Sequence, residues 1–158
     1  MHPRFAKTHG SEMRRFGEPR DLTVAYTRRP GAYAILIRDG QILLTFQQSP
    51  EPEFQLPGGG IDPGETAIPA LHREVYEETG WKISTPQKIG TYKRFCYMPD
   101  YDIHAEKICS IYVARPTQRV SPPTEDGHFA FWLPLAEAPA LLANSGDRFF
   151  LDRVLATL

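Results

Sequence analysis

The sequence predicts an α/β fold in which a mixed β-sheet carries helices on its faces. Runs of β-forming apolar residues occur at 32–48, 82–97 and 106–115. Helical periodicity occurs at Ala67–Thr79 and again in the C-terminal segment GDRFFLDRVLATL. Because hairpin-like strand pairs are interleaved with helices along the chain, we expect a mixed sheet rather than a purely parallel one.

Size and composition are those of a globular domain with one sizeable core. The chain has 158 residues, of which 41% are hydrophobic and 23% charged. Residues 1–22 show no clear period and carry several Arg, Gly and Pro residues, so they are interpreted as a loosely packed, basic N-terminal arm that precedes one domain at 23–158. The net charge of −1 does not favour nucleic acid or an anionic membrane as a partner. No apolar run approaches the roughly 20 residues of a membrane helix, so a cytoplasmic protein is expected.

The elements follow in order from local signals. Asp39-Gly40 joins two β runs and favours the turn of a tight hairpin. Thr66 can cap the helix at Ala67–Thr79, and Gly80 stops it. The polar stretch at 97–106 is interpreted as a loop between two strands. FAFWLPL reads as a short strand, and a short helix is expected to begin near Leu135.

The C-terminal segment predicts a helix that packs on the core. Its apolar residues recur at helical spacing: Phe149, Phe150, Val154, Leu155 and Leu158. The two cysteines, Cys96 and Cys109, fit neither a disulfide framework nor a metal knuckle and are expected to be free thiols.

One segment concentrates negative charge. The stretch GGGIDPGETAIPALHREVYEETGW, residues 58–81, has a net charge of −4 in a chain whose total is −1. On a helix at about 100° per residue, Ile68, Leu71 and Val75 form a buried stripe. Three carboxylates occupy the adjacent arc: Glu74, Glu77 and Glu78.

This arrangement requires a counterion. Like charges at that spacing repel one another, and the helix dipole disfavours negative charge in the last turn. Carboxylates without His or Cys beside them suit Mg²⁺ or Mn²⁺. The glycines at 58–60 can bring a backbone carbonyl onto the metal and amides onto a phosphate, since no side chain stands in the way. Arg73 is expected to pair with Glu65 and fix the loop.

The spacing of this segment resembles the Nudix box, G-x5-E-x7-R-E-U-x-E-E-x-G-U, where U is a bulky apolar residue. Gly59 opens the pattern, Glu65 follows, and the run from Arg73 to Trp81 fills its remaining fixed positions over 23 residues. The resemblance implies an α/β/α sandwich. It also implies hydrolysis of a nucleoside diphosphate linked to another group, with Mg²⁺ or Mn²⁺.

The resemblance assigns roles by position. Glu77 and Glu78 correspond to metal ligands, Glu74 to a ligand or general base, and the Gly59 carbonyl to a further ligand. Glu65 and Arg73 correspond to a supporting pair. Glu125 or Asp126, in the loop before Trp132, could supply an added ligand or the base. The catalytic set is therefore Glu74, Glu78 and Glu125, with the choice of general base left open.

The substrate is less defined. Candidates for stacking on a base are Tyr97, Tyr101, Phe46 and Trp132. Tyr97, 16 positions after Trp81, resembles a tyrosine that diadenosine-polyphosphate hydrolases of the Nudix family often have in this region. Pro99, 18 positions after Trp81, is near but not on the position where ADP-ribose hydrolases of the family often have a proline, and neither residue decides the substrate. The alternative to an enzyme is a non-catalytic Nudix-fold module that senses a nucleotide. The basic arm is a solvated segment, a rim that attracts phosphate, or the contact of a homodimer.

Overall fold

The computed structural model describes residues 13–124 and 126–158. Three α-helices are present there, α1 (Ala67–Thr79), α2 (Ala138–Leu141) and α3 (Ser145–Leu155), with a 3₁₀ turn at Leu135–Glu137 before α2. The strands are β1 (Arg14–Arg15), β2 (Thr27–Arg38), β3 (Gln41–Gln47), β4 (Glu53–Gln55), β5 (Gly58–Gly60), β6 (Trp81–Ile83), β7 (Gln87–Met98), β8 (Ile103–Ala114), β9 (Pro116–Arg119) and β10 (His128–Pro134).

The strands form a mixed sheet, which confirms the predicted fold class. Its order is β1-β7-β8-β2-β3-β10, with β4 added on β3 and β5 added on β2, while β6 and β9 make a separate two-stranded sheet. β2 pairs with β8 in parallel, and β7 pairs with β8 antiparallel. In the described residues no helix has the length and apolar character needed to cross a bilayer.

The predicted hairpin is present but short. Asp39 and Gly40 both have positive φ, 52° and 74°, as a tight hairpin turn requires. β2 and β3 then stay paired only at Arg38–Gln41 and Ile37–Ile42 before they separate. This separation leaves edges on which β5 pairs with β2 and β4 pairs with β3, while β8 and β10 pair along the opposite edges of β2 and β3.

Two clusters of buried side chains pack the two faces of the sheet. One lies under α3 and includes Tyr92, Phe150 and Val154, and the other lies under α1 and includes Leu71 and Val75. Helices on both faces give the α/β/α sandwich. The predicted C-terminal stripe is confirmed at Phe150 and Val154. It is wrong at Leu158, which follows the end of α3 and is 73% exposed.

Helix α1 has the predicted bounds, with two corrections. Thr66 occupies the N-cap position in an extended conformation, but its side chain makes no capping hydrogen bond. Ile68, predicted to lie in the buried stripe, is 41% exposed. The buried residues at the C-terminal end of the helix are Glu78 and Thr79. Gly80 ends the helix in the left-handed conformation, as predicted.

The stretch at 97–106, predicted as a loop, is mostly strand. β7 continues to Met98 and β8 begins at Ile103, so the turn is confined to residues 99–102. The register extends to Tyr97–His104 and Met98–Ile103. Cross-strand pairing between two 12-residue strands therefore outweighs the polar composition of the stretch.

The basic arm is only partly described, since residues 1–12 lie outside the described range. Its described part is not loose, contrary to the prediction. Arg14 and Arg15 pair in parallel with β7, and the Phe16 ring lies 5.5 Å from the Tyr92 ring and 5.2 Å from the Phe149 ring. Ring packing and strand pairing thus fix this end of the chain to the sheet.

Both cysteines are free thiols, as predicted. Cys96 is half-buried and Cys109 is buried. Burial raises the pKa of the Cys109 thiol to about 11, so this thiol stays protonated near neutral pH.

A buried carboxylate at the start of α3 predicts a pH dependence of stability. Asp147 accepts a hydrogen bond of 2.7 Å from the Tyr92 hydroxyl, and burial raises the pKa of Asp147 from 3.8 to about 6. A raised folded-state pKa favours folding most below pH 3.8, and this advantage is lost as the pH rises to about 6. The difference corresponds to about 3 kcal/mol.

We therefore expect the free energy of unfolding of the wild type to fall, relative to that of Asp147→Asn, between pH 4 and pH 7. Urea unfolding at each pH measures this. Asp152→Asn is the control, because Asp152 is an exposed acid on the same helix. Parallel pH profiles for the wild type and Asp147→Asn would show that the pKa of Asp147 is not raised.

Candidate active site

The acidic helix meets the glycine strand at close range. β5 pairs antiparallel with β2, and the loop at 61–66 returns the chain into α1. The Gly58 N–H donates a hydrogen bond of 3.0 Å to Oε2 of the buried Glu78. A Cβ added to Gly59 would lie 2.5 Å from the carboxyl carbon of Glu74. Glycine at this position therefore leaves the space that the Glu74 carboxylate occupies.

Arg73 connects the carboxylates of the box. Its guanidinium donates to Glu65 at 2.8 and 2.9 Å, to Glu74 at 3.0 Å and to Glu77 at 3.3 Å, and lies 3.4 Å from Asp62. The predicted pair with Glu65 is thus present. Hydrogen bonds from Arg73 lower the pKa of Glu65 to about 2. One half-buried cation therefore holds four carboxylates and fixes the loop to α1.

A cleft of about 370 Å³ lies beside these groups. We call it the carboxylate cleft. It brings together five of the predicted site residues, from β5, α1, β7 and the turn after β7: Gly59, Glu74, Glu78, Tyr97 and Tyr101. His128 also lines it, with Nδ1 3.7 Å from Oε1 of Glu78.

Glu77 lies elsewhere. It lines a second groove of about 540 Å³, together with Arg73 and Thr124, and its carboxylate is held by Arg73. The Thr124 N–H donates a hydrogen bond of 2.8 Å to the Glu77 carbonyl, so the loop before β10 is bound to the end of α1. Glu125 itself lies outside the described residues, and its role stays a prediction. Asp126 is exposed.

Two of the predicted stacking residues are not in the carboxylate cleft. The Phe46 ring packs against Phe54 with centroids 5.0 Å apart, and the Trp132 ring packs against Trp81 at 5.5 Å. Phe46 lies on β3 and Trp132 on β10, and neither side chain lines the cleft. Tyr97 and Tyr101 remain at its rim, and both are exposed.

The sequence reasoning did not place three cations in the cleft: Arg29, Arg94 and Lys107. Each lies on a different strand and far from the box in sequence. The sequence signal that was available is a cation whose neighbours two positions away on both sides are uncharged, as Ala105 and Cys109 are beside Lys107. That signal does not indicate which strands are adjacent.

The Gly59 carbonyl is directed towards β2. Gly59 is the register partner of Ala32, and the neighbouring hydrogen bond from Ala34 N to Pro57 O is 2.9 Å. In an antiparallel ladder this phase turns the Gly59 carbonyl towards Ala32. A Cβ on Gly31 would lie 3.0 Å from that oxygen. Its role as a metal ligand stays a prediction without support from this geometry.

The donor set fits a hard divalent cation, though the carboxylates do not stand in ligating positions. Within residues 13–124 and 126–158, no three His, Cys, Asp or Glu side chains are grouped as a metal site. Arg73 holds Glu74 and Glu77, and Glu78 is bound to Gly58. The oxygen-only chemistry of these side chains, and the space that Gly59 leaves for Glu74, match what Mg²⁺ or Mn²⁺ requires.

The close contact at Gly59 gives a testable prediction. In Gly59→Ala the Cβ forces the Glu74 carboxylate aside, and a displacement of about 1 Å is expected to lower activity about 100-fold. Stability is expected to change little, because the end of a flexible side chain moves. Gly60→Ala is the matched control, since nothing lies within 4 Å of its added Cβ. Equal activity of the two variants would contradict the placement of Glu74.

Comparison with known proteins identifies the family of the chain. The family model of the NUDIX domain matches residues 27–154. The chain belongs to the Nudix family. The resemblance noted from the box is therefore confirmed over most of the chain and not only at residues 59–81.

Individual relatives differ in the reactions that their names describe. The chain is 42% identical over 64 residues to a putative 8-oxo-dGTP diphosphatase of Bacillus subtilis, covering 40% of this chain and 43% of that protein. It is 32% identical over 126 residues to a CMP-5'-(N-acetyl-N-hydroxy-3-aminopropyl)phosphonate hydrolase of Streptomyces rubellomurinus, covering 75% and 58%. The chain thus spans about half the length of these curated relatives.

A solved Nudix structure has the same fold. A MutT NUDIX hydrolase from Burkholderia pseudomallei is 25% identical, with a TM-score of 0.65 over 81% of this chain and 98% of that one. A NUDIX hydrolase from Nitrosomonas europaea, at 19% identity, gives a TM-score of 0.66 over 83% and 90%. The second likeness supports the fold alone.

Proposed function

We propose that this Nudix protein hydrolyses the pyrophosphate bond of a nucleoside diphosphate linked to another group, with Mg²⁺ or Mn²⁺ as cofactor. The linked substrate is a dinucleoside polyphosphate, ADP-ribose or a related nucleotide. The observation that carries the proposal is the meeting of Glu74 and Glu78 with the glycine strand in a cleft that cations and tyrosines also line. Such a site can hold both a divalent ion and the phosphates that it neutralises.

The residues of the cleft have different proposed roles in metal binding, proton transfer and base stacking. Glu74 and Glu78 would hold the cation, with Glu77 joining them once released from Arg73. A bound divalent ion supplies neutralisation of the phosphate oxygens and a lowered pKa for water. One carboxylate, from Glu74, Glu78 or Glu125, accepts the proton of the attacking water. The Tyr97 and Tyr101 rings offer faces on which a base can stack.

A substrate panel tests this proposal. The protein is incubated with Mg²⁺ and with diadenosine polyphosphates, ADP-ribose, nucleotide sugars, coenzyme A and nucleoside triphosphates, and kcat/KM is compared. The names of the relatives, a putative 8-oxo-dGTP diphosphatase and an RNA pyrophosphohydrolase, add 8-oxo-dGTP and RNA to the panel. We expect turnover that is abolished by EDTA, and we expect one substrate class to have the highest kcat/KM. Turnover of no member would contradict the proposal.

A nucleotide-sensing module without turnover is the second candidate. The observation that favours it is the hold of Arg73 on Glu74 and Glu77, with no ready metal site in the described part of the chain. Calorimetry with the same panel separates the two candidates, because a sensor binds a nucleotide that it does not hydrolyse. A cytoplasmic location, a homodimer formed through the arm and the lack of a nucleic-acid partner stay predictions.

A further inference from the structure

Three cations lie side by side across the sheet. Arg29 on β2 is the register partner of Lys107 on β8, and Lys107 is the register partner of Arg94 on β7. Register partners point to the same side of a sheet, and all three side chains line the carboxylate cleft. We call Arg29, Lys107 and Arg94 the cation row. Adjacent strands are about 4.8 Å apart, so the row spans about 10 Å.

Three like charges in one row destabilise the fold unless negative charges offset their repulsion. Like charges directly opposite on paired strands repel one another, and each of these three side chains is half-buried. Among the described residues, none of the three forms an ion pair with a carboxylate. Arg29 instead lies with its guanidinium 4.7 Å from the exposed Tyr101 ring. These cations are therefore available to an external anion.

The neighbouring residues leave the row accessible. On the same face, the row above holds Thr27, Ala105 and Cys96, and no residue in it carries a formal charge. Below the row, Asp147 is buried and accepts a hydrogen bond from the Tyr92 hydroxyl. Asp147 shares a small well of about 40 Å³ with Arg94 and Lys107. On the sheet side of the cleft three cations face one buried carboxylate, so this side has a net positive charge, whereas Glu53, Glu74, Glu78 and Asp100 line the other parts of the cleft.

The row and the carboxylates serve different parts of one ligand. Glu74 and Glu78 lie on the β5 and α1 side of the cleft, whereas the row lies on β2, β8 and β7. A divalent ion on the glutamates would take the phosphates at the scissile bond. A row about 10 Å long on the sheet can contact further phosphoryl groups through charge-assisted hydrogen bonds.

We propose that the cation row is an anion subsite that binds phosphoryl groups beyond the scissile pyrophosphate. The chain then prefers substrates with three or more consecutive phosphates, such as nucleoside triphosphates and dinucleoside polyphosphates, over nucleotide sugars with two. This proposal rests on the proposed hydrolase function for the substrate, but the anion subsite can be tested without turnover.

The first experiment measures the binding of inorganic triphosphate by calorimetry in EDTA, so that no divalent ion contributes. Lys107→Met is expected to weaken binding about tenfold, as the loss of one charge-assisted contact implies. Lys93→Met is the matched control. Lys93 precedes Arg94 on β7 and lines a separate basic cleft with Arg14, Arg15 and Arg153. The substitution Lys93→Met therefore removes the same charge as Lys107→Met, but outside the cation row.

The outcome of the first experiment depends on how much triphosphate binding is weakened in Lys107→Met compared with Lys93→Met. Equal weakening in both variants, or loss of binding only in Lys93→Met, would overturn the subsite. Lys107→Arg keeps the charge and is expected to bind as the wild type does. If Lys107→Met fails to fold by circular dichroism, Arg94→Gln takes its place with the same expectation.

The second experiment uses turnover. In Lys107→Met, KM for a nucleoside triphosphate is expected to rise about tenfold with kcat nearly unchanged, while KM for a nucleotide sugar changes less than twofold. Equal changes for both substrates would overturn the preference for long phosphate chains. A wild type that binds triphosphate through Lys107 but hydrolyses nothing would contradict the hydrolase function and leave the anion subsite in place.

Discussion

Replacement of Glu78 by glutamine is expected to lower kcat/KM by about 10²- to 10⁴-fold, with the fold intact. Glu78 is buried, accepts the Gly58 N–H at 3.0 Å and has its other oxygen 3.7 Å from Nδ1 of His128. A glutamine of the same shape can keep the bond from Gly58 through its carbonyl oxygen. It removes the negative charge that a divalent cation needs. Activity measured across a Mg²⁺ titration, with circular dichroism as the check on folding, tests this.

Glu53→Gln is the matched control for Glu78. Glu53 lines the same cleft, but its Oε1 accepts hydrogen bonds from the side chains of Gln47 and Gln55 at 3.1 and 2.6 Å. We expect less than about a threefold change for this variant, since its carboxylate supports β4 and not the reaction. Turnover at the wild-type rate in Glu78→Gln would refute the assignment of Glu78 as a ligand.

Glu77 provides a further comparison, because it is held by Arg73 and lines the second groove instead of the carboxylate cleft. If it is a ligand, as the box implies, Glu77→Gln matches Glu78→Gln in lost activity. If Glu77 only anchors Arg73, Glu77→Gln loses stability and keeps most of its turnover. The two variants together decide which glutamates the cation requires.

The sequence predicted the parts of the site that depend on near neighbours. The helix at Ala67–Thr79, its stop at Gly80 and the Arg73–Glu65 pair all form within about 20 residues of chain, so periodicity and spacing were sufficient. The cation row was not predictable in this way. Its members are separated by 78 positions between Arg29 and Lys107, and only the pairing of β2 with β8 brings them together.

Other errors have the same physical origin. Trp132 was assigned to base stacking from its residue type, yet the register of β10 against β3 places it beside Trp81. The stretch at 97–106 looked like a loop until its pairing partner was known. Residue type limits what a side chain can do, and the register of a sheet decides which cleft it faces.

Replacement of Arg73 by glutamine is expected to lower both stability and activity. Its guanidinium lies within 3.4 Å of four carboxylates, of which Glu74 lines the carboxylate cleft. Without it, Asp62, Glu65, Glu74 and Glu77 repel one another with no cation between them. We expect a loss of about 2 kcal/mol in the free energy of unfolding, after allowance for the partial exposure of Arg73. Urea unfolding measures the stability, and Mg²⁺-dependent turnover measures the activity.

The acid limb of unfolding gives an independent test of Arg73. Hydrogen bonds from Arg73, the largest cause, and from the Asp62 N–H lower the pKa of Glu65 from 4.5 to about 2, so the stability from these contacts is present above pH 4.5 and is lost as the pH falls towards 2. In Arg73→Gln the part of that contribution that Arg73 supplies is absent, and acid unfolding should begin at higher pH. Arg38→Gln is the control, since its pair with Asp39 is exposed and 3.7 Å long and should be worth less than about 1 kcal/mol. An unchanged acid limb in Arg73→Gln would mean that Arg73 does not hold the box together, and that the carboxylates are placed by the glycine strand alone.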